Sequence, residues 1–166
     1  NPVNKNADKY NVAFFNERAL FKRIDRQLES MLEIYVSPEE DAEIRKITFV
    51  NNEDKEIHLE VTCVCELSLT SWTSHISHPA YSDLMVTTEA NSSEYALIAK
   101  RKSNKDPLNA SFACLVATTK SGLVPAFSYD TDFSSFLGRN REYSEPMSMD
   151  EHVPLAGNQG AVITPC

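Results

Sequence analysis

The chain has 166 residues, 42% of them hydrophobic, which is enough for one domain with a core and hardly enough for two. Sixteen Lys and Arg against 24 Asp and Glu leave a net charge of −8, and the only basic cluster, Lys100-Arg101-Lys102, is short, so nucleic acid is excluded as the main partner. No window approaches the roughly 18 apolar residues of a membrane helix, and Asn1-Pro2-Val3-Asn4-Lys5-Asn6 lacks the apolar run of a signal peptide.

The dominant hydrophobic period is two. Strands are predicted at Tyr10–Phe15, Ala19–Ile24, Leu28–Val36 and Ile44–Val50. Leu20, Ile24, Leu28 and Leu32 also recur at helical spacing, but the strand reading is preferred there. A long strand is predicted from Ile57 to Thr70, because Ile57, Leu59, Val61, Cys63, Cys65, Leu67 and Leu69 alternate with mostly polar residues. Leu84–Glu89, Tyr95–Lys100, Phe112–Thr119 and Ala126–Tyr129 complete the set. Turn chemistry separates them at Ser37-Pro38-Glu39-Glu40-Asp41, Asn51-Asn52-Glu53-Asp54, Asn91-Ser92-Ser93, Asn104-Lys105-Asp106-Pro107 and Ser121-Gly122. Strands joined by short turns, without helices between them, imply an all-β fold, an antiparallel two-sheet β-sandwich.

Two stretches break the alternation and read as ordered loops, Trp72–Asp83 and Ser134–Glu151. The closing run Gly160-Ala161-Val162-Ile163-Thr164-Pro165-Cys166 reads as a strand in progress. Residues 1–166 are therefore taken as a single sandwich domain or a truncated piece of one.

Cys63, Cys65, Cys114 and Cys166 are too few and too unevenly spaced for a disulfide scaffold, so they read as buried thiols in the cytoplasm. Cys63 and Cys65 with His75 and His78 would give C-x-C followed by H-x-x-H. That C-x-C splays its sulfurs on a strand, and core burial explains it better than a metal. Glu39, Glu40 and Asp41 are paired carboxylates of the type glycoside chemistry uses, as are Asp130 and Asp132, yet Ser-Pro-Glu-Glu-Asp reads first as a turn. No G-x-S-x-G elbow or phosphate-cradling glycine loop occurs. Two N-x-S sequons, at Asn91 and Asn109, carry little weight alone.

Sugars are recognised by an aromatic face and planar or hydroxyl hydrogen-bonding groups. Trp72, the one tryptophan, shares its loop with His78 and Tyr81, while Arg139 and Arg141 share theirs with the nearby Asp132. These six are the candidate carbohydrate-binding residues. Their bland alternative is a Trp packing a loop and arginines tying loops down.

The order of several motifs carries a resemblance. They are Ser37-Pro38-Glu39-Glu40-Asp41-Ala42-Glu43-Ile44-Arg45, Glu66, His78-Pro79-Ala80-Tyr81-Ser82-Asp83-Leu84 and Glu89. Lys100-Arg101-Lys102, Thr131-Asp132, Phe136-Leu137-Gly138-Arg139-Asn140-Arg141, Pro146 and Gly160-Ala161-Val162 follow. In this succession the chain resembles the N-terminal supersandwich region of glycoside hydrolase family 94, formerly glycosyltransferase family 36, and within it the cyclic β-1,2-glucan synthases and β-1,2-oligoglucan phosphorylases. It departs from that pattern at His75 (Asp), Phe133 (Arg), Asn140 (Gly) and Thr164 (Asp). The resemblance implies a parent glycoside phosphorylase or glycosyltransferase acting on a β-glucan or oligosaccharide, with inorganic phosphate as an admissible co-substrate and a homodimer as an admissible assembly. From the residues themselves, no cofactor and no metal are expected. The family's general acid belongs to a helical barrel with no counterpart here, so this chain is expected to support sugar binding without catalysis. A purely structural or oligomerisation domain is the alternative. An independent enzyme using Glu39, Asp41 or His78 ranks last, for want of a complete acid–base set.

Overall fold

A computed structural model describes residues 5–91, 93–102, 112–116, 118–120 and 129–150. The predicted strand at Ala126–Tyr129 lies outside them but for Tyr129, which is not in a strand. The closing run to Cys166, the Asn104–Pro107 and Ser121-Gly122 turns and the Asn109 sequon lie wholly outside. The chain divides into two compact units, residues 1–60 and 61–166.

The first unit is a four-stranded antiparallel meander, β1 (Lys9–Phe14), β2 (Arg18–Asp25), β3 (Leu28–Val36) and β4 (Glu43–Asn51), each strand pairing with its neighbours in sequence. The β2–β3 hairpin settles the helix-or-strand ambiguity. Asp25 pairs with Leu28 across a two-residue turn, and Arg26 takes a left-handed φ of 54° there. The register puts Tyr10, Val12, Phe14, Phe21, Leu32, Ile34, Ile47 and Phe49 on one face, with Phe14 and Phe21 edge to face at 6.3 Å. The same face carries the ion pairs Arg23–Asp25 and Arg45–Glu43, and the other face a cluster around Glu33. Glu33, only 5% exposed, accepts from Arg18 Nη1 at 2.9 Å, Tyr35 Oη at 2.9 Å and Lys46 Nζ at 2.8 Å. Lys46 and then Tyr35 hold its carboxyl below the usual glutamate range, partly opposed by desolvation.

The second unit holds a three-stranded antiparallel sheet, β5 (Val86–Asn91), β6 (Ala96–Arg101) and β7 (Phe112–Val116). Val86 and Ala99 form its buried centre, and Leu67 and Leu69 pack against them. The predicted strand Ile57–Thr70 is not a strand. Apart from one bridge residue, Glu66, it has no ladder. Leu59 and Val61 are exposed despite the alternation, and a ladder needs a backbone edge alongside, whereas among the described residues no strand pairs along this stretch. Leu69, at φ 49°, ends its extended course.

Further corrections are local. The predicted loop Trp72–Asp83 is two short helices, α1 (Trp72–Ser77) and α2 (Pro79–Leu84). The second predicted loop holds α3 (Phe133–Leu137) and a 3₁₀ turn at Met147–Met149. Leu84 therefore belongs to a helix, and Tyr95, at φ 50°, belongs to the β5–β6 turn rather than a strand. The cysteines differ from the predicted buried thiols as well. Cys63 and Cys65 are half-buried, and Cys114 is exposed because its neighbours Ala113 and Leu115 point with Ala99 and Leu97 to the opposite face of the sheet. No helix among the described residues is long and apolar enough to cross a membrane.

Candidate functional site

An open cleft is built by α1, α2 and the end of β6. Ser71 starts α1 by capping, its hydroxyl accepting from the Ser74 N–H at 3.3 Å. The helix stops at His78, because Pro79 has no N–H to continue it and instead opens α2. Within α1, helical spacing sends Thr73, Ser74 and Ser77 to one side and Trp72 and Ile76 to another. The first three, with Thr70, His78, Tyr81 and Arg101, line a cleft of about 430 Å³. Arg101 is anchored there by Nη1, which donates to the Ser68 carbonyl at 3.0 Å. Ser77 donates to the Thr73 carbonyl at 2.8 Å, and the Ser71 hydroxyl donates to that of Ser74 at 2.9 Å. Among the described side chains that line it, none is acidic. The cleft can therefore donate and accept hydrogen bonds through hydroxyls, an imidazole and a phenol, and it holds one permanent cation.

A second constellation surrounds α3. Asp130 is 1% exposed, and its Oδ1 accepts the Asp132 N–H at 2.8 Å. Its Oδ2 is buried without a hydrogen-bond partner among the described residues. Burial raises this carboxyl above the ordinary aspartate range, opposed by the backbone donors of Asp132 and Thr131. Asp132 caps α3, accepting from the Ser134 N–H at 3.1 Å and the Ser135 hydroxyl at 2.6 Å. Phe136 anchors the helix in the interior and Gly138 ends it at φ +78°, where a Cβ would stand 2.7 Å from Met147 Cβ. Beyond it Asn140 takes φ 59°. Arg141 pairs with Asp150, and the exposed Tyr143 donates to the Glu66 carboxylate. Desolvation first, then that carboxylate, pushes the Tyr143 phenol up to about 12.

Of the six candidate carbohydrate-binding residues, His78 and Tyr81 meet in the cleft. Trp72, 75% exposed, stands on the neighbouring side of α1. Asp132 is engaged as a helix cap, Arg141 in an ion pair, and Arg139 is exposed. The three elements do not gather into one site, since neither α1 nor α2 contacts α3. Sequence reading missed Arg101 and the four hydroxyl residues. The signal for the latter was the spacing of Thr73, Ser74 and Ser77, which means nothing until α1 is recognised as a helix. The Glu39–Asp41 carboxylates sit in the turn expected of them, where Ser37 Oγ accepts the N–H groups of Glu39 at 3.3 Å and Glu40 at 3.1 Å. Among the described residues no three His, Cys, Asp or Glu side chains converge as metal ligands.

Comparison with known proteins bears on what this scaffold belongs to. The family model described as "Glycosyl hydrolase 94, supersandwich domain" matches residues 1–166. The chain is 28% identical over 153 residues to the cyclic beta-(1,2)-glucan synthase NdvB of Rhizobium meliloti (strain 1021), a match covering 92% of this chain. It spans 5% of the length of that relative. Two antiparallel sheets with few and short helices agree with the matched domain. The chain belongs to glycosyl hydrolase family 94, as a supersandwich domain.

Proposed function

We propose that this chain is the carbohydrate-contacting support module of a glycoside phosphorylase or glucan synthase acting on β-1,2-glucan, with no catalysis of its own. The observation that carries the reading is the cleft of Thr70, Thr73, Ser74, Ser77, His78, Tyr81 and Arg101, formed on a domain of this family. Its hydroxyls, imidazole and phenol suit a polyhydroxylated ligand, and the exposed Trp72 on the same helix offers an aromatic face for a pyranose. The name of the NdvB relative supplies the β-1,2 linkage. We place it in the cytoplasm, where an exposed thiol such as that of Cys114 stays reduced.

Titration with β-1,2-gluco-oligosaccharides tests the reading, with Trp72 fluorescence as the signal and calorimetry on Trp72→Ala and Tyr81→Ala. Saturable binding that weakens in both variants supports it. No heat and no fluorescence change at millimolar sugar moves the chain to scaffold. That second reading has its own observation, the apolar face of the β1–β4 meander, on which Tyr10, Val12, Phe14, Ile47 and Phe49 are exposed.

A further inference from the structure

From its outer edge we infer that β4 docks a second copy of this chain, the two β4 strands pairing antiparallel about a twofold axis through Ile47. The edge belongs to the first unit alone, and its docking does not depend on the carbohydrate reading. β4 has nine residues, pairs with β3 along its whole length, and has no strand on its other side among the described residues. The phase of that ladder decides which backbone groups are left over. At its two ends the Asn52 N–H bonds the Gln27 carbonyl at 3.1 Å and the Ser37 N–H bonds the Ala42 carbonyl at 2.9 Å. Hydrogen-bonded pairs alternate along an antiparallel ladder, so Ile44, Lys46, Thr48 and Val50 bond inward to β3. Ile47 and Phe49 therefore turn their N–H and C=O groups outward, in a row that a further strand can take. Every residue of β4 except Thr48 is exposed, and neither a proline nor a bulge blunts the edge.

A second copy fits because β4 is complementary to itself in one register. Centring the pair on Ile47 sets Ile44 opposite Val50, Arg45 opposite Phe49, Lys46 opposite Thr48 and Glu43 opposite Asn51. No like charges then face each other, apolar Ile44 and Val50 meet on one face, and Ile47 meets its own counterpart on the other. Moving the axis back to Lys46 sets two ammonium groups opposite each other, and moving it to Arg45 does the same with two guanidinium groups. Moving it forward to Thr48 leaves Glu43 and Ile44 unpaired. The Ile47 register also continues the apolar face of one meander into that of the next, and removes part of Ile47 and Phe49 from water.

The test is self-association of the full chain, followed by sedimentation equilibrium from micromolar to millimolar concentration. A monomer–dimer equilibrium is expected. Ile47→Pro removes an outward N–H and leaves the β3–β4 bonds in place, so it should weaken the dimer at least about ten-fold with the circular dichroism unchanged. Two cysteine variants read the register even where the proline variant does not fold. With Cys63, Cys65, Cys114 and Cys166 replaced by Ala, Ile47→Cys should form an intermolecular disulfide under oxidised glutathione. Opposed residues of a hydrogen-bonded pair have Cα atoms about 5.5 Å apart, within disulfide reach. Phe49→Cys should form none, since its counterpart lies further along the partner strand, roughly 13 Å away. A chain that stays monomeric throughout overturns the proposal and leaves the edge to a strand from elsewhere in a longer polypeptide. A dimer that Ile47→Pro leaves at full strength, or that cross-links through Phe49→Cys as readily as through Ile47→Cys, overturns it as well.

Discussion

Asp130 and Asp132 form a relay. The carboxylate of the first accepts the backbone N–H of the second at 2.8 Å, and the carboxylate of the second caps α3 through Ser134 and Ser135. One buried acid thus holds the capping residue at the start of the helix that Phe136 anchors.

That relay makes a pH prediction. Burial raises the Asp130 carboxyl, so the folded chain holds its proton more tightly than the unfolded one. Stability from this group therefore grows as pH falls through the raised folded value toward the ordinary aspartate range near 3.8, and is absent at neutral pH. Asp130→Asn, a neutral isostere of the protonated acid, should remove that pH dependence, so urea unfolding from neutral pH downward should show wild type gaining stability relative to the variant. Parallel curves would mean that Asp130 ionises normally.

Glu33 predicts the reverse slope. Lys46 and Tyr35 hold its carboxyl low, so its contribution is present above the ordinary glutamate value of 4.5 and is lost as pH falls through the lower folded one. Glu33→Gln should lower the melting temperature at neutral pH and flatten the acid limb. Lys46→Met should lower it too, by leaving a nearly buried carboxylate short of a partner.

Gly138 is constrained twice, by φ +78° and by Met147 Cβ, 2.7 Å from where its own Cβ would lie. Gly138→Ala should destabilise by about 2 kcal/mol or more, the sum of a left-handed penalty and a clash. Adding Met147→Gly removes the contact and leaves the backbone term, so the double variant should lose less than the two single variants together. Strict additivity in thermal melts would count against the contact.

Asn140 stands at φ 59°. Asn tolerates this conformation better than most other side chains do. Asn140→Gly should change stability by only a few tenths of a kcal/mol, whereas Asn140→Val should cost about 1–2 kcal/mol. Denaturant midpoints distinguish the two.

Much of the fold was legible because period-two alternation bounded by turn residues is a strong signal where strands pair in sequence order. β1 to β4 appear within a residue or two of their predicted limits. The same signal misled at Ile57–Thr70, where Leu67 and Leu69 bury their side chains without a ladder on the backbone. The helices were hidden by their length. Six residues are too few for a 3.6-residue period to show, and only the caps Ser71 and Asp132 announce them. In the site, His78 and Tyr81 were visible as sugar-type residues beside a Trp. Arg101 was not, because the residues with which it lines the cleft lie on and beside α1 and α2, far from it in sequence.

The order of strands in the first unit bears on how it is made. Each ladder joins consecutive strands, and the widest-spaced partners are Leu28 and Asn51. Such local pairing closes only short loops, the cheapest entropy a sheet can meet, and favours fast zippering from one hairpin to the next. Among the described residues, the meander's ladders use no strand residue beyond Asn51. The meander can form on the ribosome as soon as β4 emerges, while the rest of the polypeptide is still being synthesised.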